Sequence, residues 1–339
     1  MRAIGYAKSL PVTDPASLQD IELPDYTASD LGPHDLLVEV AAISVNPVDA
    51  KVRMRMAPET GHKILGWDAT GTVKATGAEV TLFKPGDEVF YAGSIGRPGT
   101  NSELHIVDER IVGRKPSSLG HAHAAALPLT SITAWELLFD GMGVQEGGGE
   151  GDTLLIIGGA GGVGSILTQI AKVLTGLTVV ATASRDETRE WCTRMGADHL
   201  IDHRQSLKKQ LDDLGVRPRY VASLTATDQH FDEIIELIAP RGTIALIDDP
   251  PELNALKLKP KALTLHFEFM FTRPMQNAPD LIAQHRLLNR MSELVDQGKI
   301  TSTANRDGGT INATNLREAH GQQESGRAIG KTVLAGFGS

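Results

Sequence analysis

Residues 152–174 read DTLLIIGGAGGVGSILTQIAKVL. A short apolar run, Leu154–Ile157, meets five glycines within seven residues, and a helical pattern follows. Gly159, Gly161 and Gly164 satisfy G-x-G-x-x-G, and Gly158, Gly161 and Gly164 fit a seven-residue variant of it. Such spacing supplies a tight turn, backbone close enough to touch a pyrophosphate, and close packing of helix on strand. Gly162 and Val163 complete the loop, where unpaired amides at a helix start would bond phosphate oxygens. A glycine-rich segment can also be a plain turn. Here it follows an apolar strand and opens an amphipathic helix, so a dinucleotide site is the expected reading.

The end of the next strand selects the dinucleotide. A carboxylate there would bond a ribose 2′-hydroxyl and repel a 2′-phosphate. The chain instead reads TVVATASR, placing Ser184 and Arg185 at that end, with Arg189 one turn on. A hydroxyl and guanidinium groups suit a dianionic phosphate, so NADP is expected over NAD. The alternative makes Arg185 a solvated loop residue. Asp186 and Glu187 fit the acidic preference of a helix N-terminus.

Outward from the loop the periodicity divides the chain. Up to about residue 125, segments 35–45, 69–77, 86–93 and 103–113 read as short strands between Gly and Pro turns, an irregular barrel or sandwich. From residue 121 helical spacing begins. Strands at 154–157, 178–182, 199–201, 220–223 and 243–247 then alternate with helices at 163–174, 186–195, 229–238 and 279–297. That alternation predicts a doubly wound parallel sheet, hence an α/β fold. ALTLHFEFMF, residues 262–271, alternates Leu263, Leu265, Phe267, Phe269 and Phe271 with mostly polar residues, a half-buried strand. The tail GKTVLAGFGS reads as one more strand, returning to the first domain.

Composition bounds the function. With 339 residues, 41% of them hydrophobic, the chain suggests two domains with ample core. A net charge of −9 argues against nucleic acid as a partner. No apolar run is long enough to span a membrane, and the N-terminus lacks a secretory pattern, so a cytoplasmic location is expected. The single cysteine, Cys192, excludes an intrachain disulfide and any multi-cysteine zinc site.

LPLTSITAWELL (127–138), the glycine loop, MGADHLID (195–202), ISVNPVDAKVR (43–53) and ILGWDATG (64–71) together resemble the medium-chain dehydrogenases/reductases. The nearest likeness is the zinc-free quinone oxidoreductase branch, including proteins labelled "zinc-type alcohol dehydrogenase-like". The resemblance implies a GroES-like catalytic domain from residues 1–127 and 272–339. Residues 128–271 would form a Rossmann NADP-binding domain, with the active cleft between the two. Zinc members place a Cys near position 46 and a His-Glu pair where this chain has Trp67 and Asp68. Asn46 and Trp67 are unsuited to zinc, so no metal is expected.

An acceptor conjugated to a carbonyl takes hydride without a Lewis acid, provided it is held against the nicotinamide and modest donors meet the developing charge. Asn46 is the candidate donor, or else a turn cap before Pro47. Asp49 orients Asn46 or contacts a ribose, or else is the N-terminal acid of a short helix. Lys51 stands where relatives often carry Tyr; it donates to an oxyanion or is a solvated lysine. Trp67 walls the acceptor or fills the core. Thr130 contacts the nicotinamide on resemblance, or caps the following helix. His203 falls where relatives place an aromatic residue near the adenosine phosphate, or is a loop histidine. Lys331 approaches the cofactor on resemblance alone.

Taken together these residues describe an NADPH-dependent reductase of quinones or similar conjugated carbonyls. Alternatives are an enal or enone double-bond reductase, a reductase of simple aldehydes, and a dinucleotide-binding protein with little turnover. The Leu263–Phe271 strand, an edge with three phenylalanines, is expected to join two copies in a homodimer.

Overall fold

The computed structural model describes residues 1–338, which form two compact units. One comprises Met1–Ile132 and the chain from Phe271 onward; the other is Thr133–Met270. The sequence reading drew these boundaries at 127/128 and 271/272; the structural divide falls inside one helix, α3 (Pro128–Trp135).

The first unit is built on β3 (Asp35–Val45), a run rich in Val, Leu and Ile in which Glu39 alone is exposed. It pairs antiparallel with β5 (Ala69–Thr76), β7 (Leu104–Asp108) and β16 (Lys331–Ala335). The sheet runs β15 (Ala304–Asp307), β16, β3, β5, β6 (Glu88–Tyr91), β8 (Val112–Arg114), with β7 also on β3. A smaller sheet has β1 (Arg2–Tyr6) between β2 (Gln19–Glu22) and β4 (Lys63–Ile64). Helix α1 (Pro47–Arg55) follows β3 directly, α2 (His121–Ala125) precedes α3, and α8 (Thr272–Gln276), α9 (Ala283–Asp296) and α10 (Ala313–Glu324) complete the unit. Because the tail strand β16 lies on β3 with Thr332 opposite Val45, the chain's end reaches the start of α1.

The second unit holds one parallel sheet in the order β11 (His199–Ile201), β10 (Thr178–Thr182), β9 (Thr153–Ile157), β12 (Tyr220–Ser223), β13 (Thr243–Leu246), β14 (Thr264–Phe267). This is the 3-2-1-4-5-6 order of doubly wound dinucleotide folds. Helices α4 (Gly162–Leu174), α5 (Asp186–Arg194), α6 (Leu207–Leu214) and α7 (Thr227–Leu237) connect its strands. Leu155, Val180, Ile201, Val221 and Ile244 pack against Leu207 and Leu211 of α6 and Phe231, Ile234 and Leu237 of α7.

Three sequence expectations change. Helices α6 and α10 were not anticipated, because α6 is only two turns with half its residues charged and α10 carries few large apolar residues. The helix expected from 279 begins at Ala283. The strand expected over 262–271 ends at Phe267, and the expected sides are exchanged at its end: Phe267 and Phe269 are 62% and 47% exposed and Glu268 is buried, after which the alternation stops with Met270 and Phe271 both buried. Alternation alone named the two sides but not which one faced the core. Among the described residues no helix is long and apolar enough to cross a membrane.

Candidate functional site

In the second unit the glycine loop joins β9 to α4. Gly158 has φ of +90°, outside the range of most side chains, and its amide donates to Thr182 Oγ1 at 3.0 Å. A Cβ on Gly164 would lie 2.4 Å from Gly158 O and 2.7 Å from Gly159 O, so the helix packs onto the loop only with glycine there. Gly159 is tight too, with Ala181 Cβ at 2.7 Å from such an atom. Gly161 differs: its nearest neighbour would be Gly158 O at 3.5 Å, an ordinary contact. Nothing in the protein requires glycine at 161, and a closely approaching ligand would. Gly161 is the N-cap of α4, and the amides of Gly162, Val163 and Gly164 belong to its first turn. The cradle fits a pyrophosphate.

The strand-end residues gather one loop away. Ser184 follows β10, and Arg185 is the N-cap of α5. Arg189 donates to Ala183 O at 3.3 Å. Arg204, which the sequence reading passed over, donates to Ser184 O at 2.7 Å and pairs with Asp202 at 2.8 Å. It comes to Ser184 through the parallel pairing of β10 with β11, a relation with no local signal. His203, next to it, is exposed, with its ring 6.5 Å from that of His230. Desolvation holds its pKa below the usual histidine value, and His230 and Arg204 push the same way against Asp202.

In the first unit a polar network is sealed from solvent. Asn46 and Asp49 are 1% exposed, Asp68 0% and Lys331 2%. Asp68 Oδ2 accepts from Ser44 Oγ and Asn46 Nδ2, both at 2.8 Å, and from Lys331 Nζ at 3.0 Å. Its Oδ1 accepts from the Leu129 amide at 2.8 Å. The Lys331 ammonium also donates to Val45 O at 3.0 Å and to Asn46 Oδ1. The Asn46 amide thus has one orientation: turned over, its NH2 would meet an ammonium and its oxygen a carboxylate. Asp49, in the first turn of α1, accepts from the Asn46 amide on Oδ2 at 2.7 Å, while its Oδ1 makes no hydrogen bond. Burial pushes the Asp49 pKa up to about 7, helped by Asp68 and opposed by Lys331 and nearby amides.

The other expected residues have defined partners within the fold. Lys331, expected at the cofactor, has its three N–H groups on Val45, Asn46 and Asp68. Thr130 is not a cap; it lies inside α3 and its hydroxyl donates back to Ala126 O at 3.4 Å and Leu127 O at 3.2 Å. Trp67 is core, 1% exposed, edge-on to Phe271 at 5.9 Å and donating to Ser94 O at 3.4 Å. Lys51 is half-buried on α1. The loop around Ser94 and Arg97, with His105, Asp108, Met275 and Leu281, lines a crevice of about 330 Å³ in the same unit.

Residues 32–122 match the alcohol dehydrogenase GroES-like domain family, and residues 162–278 the zinc-binding dehydrogenase family. A zinc-type alcohol dehydrogenase-like protein of Staphylococcus aureus strain COL is 44% identical over 305 residues, covering 88% of this chain and 90% of that one.

This chain belongs to the medium-chain dehydrogenase/reductase superfamily.

Among solved structures, a Rhizobium etli CFN 42 protein described as a candidate zinc-dependent alcohol dehydrogenase superposes on this dehydrogenase/reductase with a TM-score of 0.95. The two are 55% identical, over 100% of this chain and 99% of that one. Escherichia coli quinone oxidoreductase, solved with NADPH, shares the fold at a TM-score of 0.83 and 22% identity, over 99% of this chain and 100% of that one.

The zinc-binding family description implies a metal, but the side chains at the expected ligand positions of this dehydrogenase/reductase do not fit one. Trp67 offers only a donor, and Asn46 Oδ1 faces an ammonium. Both Asp68 oxygens already accept hydrogen bonds, and a divalent cation beside them would meet Lys331. Cys192, the chain's only thiol, is buried on α5 in the other unit, with its pKa pushed up to about 11 by desolvation.

Proposed function

We propose that this protein is a zinc-independent, NADPH-dependent oxidoreductase that passes hydride to a quinone or a similar conjugated carbonyl. The observation that carries the reading is the Asn46–Asp68–Lys331 network, in which Asn46 and Asp68, at positions where the resemblance puts zinc ligands, are held instead by an ammonium. The glycine cradle with an unfilled Gly161, and the guanidiniums around Ser184, support NADPH as the dinucleotide. The likeness to a quinone oxidoreductase supports the fold such chemistry uses.

The amides of Gly162, Val163 and Gly164 hold the pyrophosphate, and Gly158, Gly159 and Gly161 give it access. Ser184, Arg185, Arg189 and Arg204 take the 2′-phosphate, with His203 beside the adenosine. When bound, NADPH supplies the hydride. Asn46 has a second N–H on Nδ2 that its bond to Asp68 leaves uncommitted, and this N–H meets the acceptor oxygen as negative charge develops. Lys331 and Asp68 hold that amide in one orientation. Asp49, with its pKa pushed up to about 7 by burial, is partly protonated near neutral pH. Two copies join at β14, the edge strand that carries the exposed Phe267 and Phe269.

The test is oxidation of NADPH and NADH by chelator-treated protein against quinones, enals, enones and simple aldehydes. Turnover of quinones with NADPH preferred is the expected result. Turnover confined to enals or enones keeps the mechanism and changes the acceptor. Tight NADPH binding without turnover on any acceptor overturns the enzymatic reading, and activity lost on chelation and restored by zinc overturns the metal-free one.

A further inference from the structure

Glu268, in the nucleotide-binding unit, is a buried carboxylate that this scheme does not use. Glu268 follows β14, and its amide donates to Leu246 O at 2.9 Å, extending the parallel pairing with β13. Its side chain is 6% exposed. Oε2 lies 3.2 Å from His266 Nε2, whereas Oε1 makes no hydrogen bond. His266 is fixed in turn. After α3 the chain forms a π-helical turn, Glu136–Gly141, and a Cβ on Gly141 would lie 2.4 Å from the imidazole Cδ2. A buried carboxylate oxygen with no donor is costly unless a ligand brings one.

Its place in the sheet says which ligand group that is. In a 3-2-1-4-5-6 sheet the dinucleotide lies across the carboxyl ends of the strands, one mononucleotide on each half. The glycine loop at β9 and the arginines at β10 and β11 belong to the adenosine half. The nicotinamide half therefore lies at the ends of β12, β13 and β14. Three buried or half-buried groups at the ends of β12 and β13 are occupied with one another: Asp248 accepts from the Thr227 amide at 2.9 Å and its hydroxyl at 2.5 Å, and Thr227 bonds Ser223 at 2.7 Å. Glu268 Oε1 is a buried acceptor without a donor at the end of the outermost strand, about two strand spacings beyond β12. The outermost donor of the nicotinamide half is the ring's carboxamide.

We propose that Glu268 Oε1 accepts a hydrogen bond from the carboxamide amino group of the nicotinamide, with His266 holding the carboxylate in place. This rests on the NADPH reading above and adds a residue that fixes how the ring is turned.

The experiment titrates wild type, Glu268→Gln and Glu268→Ala with three probes. These are NADPH, its reduced 3-acetylpyridine analogue, which lacks the amino donor, and adenosine 2′,5′-bisphosphate. Wild type is expected to favour NADPH over the acetyl analogue by about tenfold or more. Glu268→Ala should bring the two within about twofold, and Glu268→Gln, which keeps an acceptor oxygen, should recover part of the preference. The bisphosphate, which has no nicotinamide, should bind all three proteins equally, and that shows the variants are folded. An undiminished preference in Glu268→Ala, or no preference in wild type, overturns the proposal while the NADPH reading stands. Failure of wild type to bind either NADPH or the bisphosphate overturns both.

Discussion

Lys331 and Arg189 are both cations that the sequence places at a cofactor, and the structure uses them in opposite ways. Lys331 is 2% exposed, with every N–H bonded to Val45, Asn46 or Asp68 inside its own unit. Arg189 is exposed beside the Ser184 loop, touching a backbone carbonyl at 3.3 Å, with Arg204 nearby. A buried ion needs a complete set of partners from the protein, because water cannot supply them. An exposed one waits in water for a ligand of opposite charge and costs little meanwhile. In the proposed scheme the first cluster is a frame that holds the Asn46 donor and the second a receptor for the 2′-phosphate, and substitutions should separate stability from binding.

The largest effect is expected at the frame. Lys331→Met leaves the Asp68 carboxylate buried without a counter-charge and should destabilise the fold by about 3–5 kcal/mol. Denaturant unfolding measures it, and the double variant with Asp68→Asn should recover part of the loss. A small effect from the single change would mean the pair is solvated in solution.

Asp49 gives the frame a pH signature. Its folded pKa is about 7, against about 3.9 for an unfolded aspartate, so between those values the folded chain keeps a proton that the unfolded chain has lost. Stability should fall as pH rises from about 4 to 7, by a few kcal/mol at most. Asp49→Asn should flatten that slope in unfolding curves taken across the window.

The two glycines of the loop sharpen the contrast within a single turn. Gly164→Ala drives a Cβ onto two backbone oxygens and should cost about 1–3 kcal/mol of stability. Gly161→Ala should leave the melting temperature almost unchanged and weaken NADPH binding, because only the ligand occupies that space. Equal losses of stability would refute the distinction.

At the receptor, Arg189→Ala and Arg204→Ala should each weaken NADPH about tenfold and leave NADH nearly unaffected, lowering the coenzyme preference without changing stability. The smallest effect on the fold belongs to β14. Phe267→Lys is expected to leave unfolding unchanged while shifting the protein from dimer to monomer in sedimentation.

Much of this was legible along the chain. Leu154–Ile157, the glycines and α4 are adjacent in sequence, so each of their requirements is local and can be read from spacing. The position of Ser184 and Arg185 at the end of β10 was legible for the same reason. Arg204 was not, because it reaches Ser184 only when β11 pairs with β10. Glu268 looked like the outward position of an alternating strand, and the sheet turned it inward. Lys331 was read as a cofactor residue, although its partners lie more than 260 positions earlier.

By itself the sequence determined the α/β class, the dinucleotide cradle and a set of side chains unsuited to zinc, because these follow from residue chemistry and short-range periodicity. Only the tertiary structure decided that Ser44, Asn46, Asp68 and Lys331 form one closed network, which carboxylate oxygens are left without donors, and which phenylalanines face outward. Those depend on strand order and register, which bring distant residues within hydrogen-bonding reach and set which side of each strand meets water.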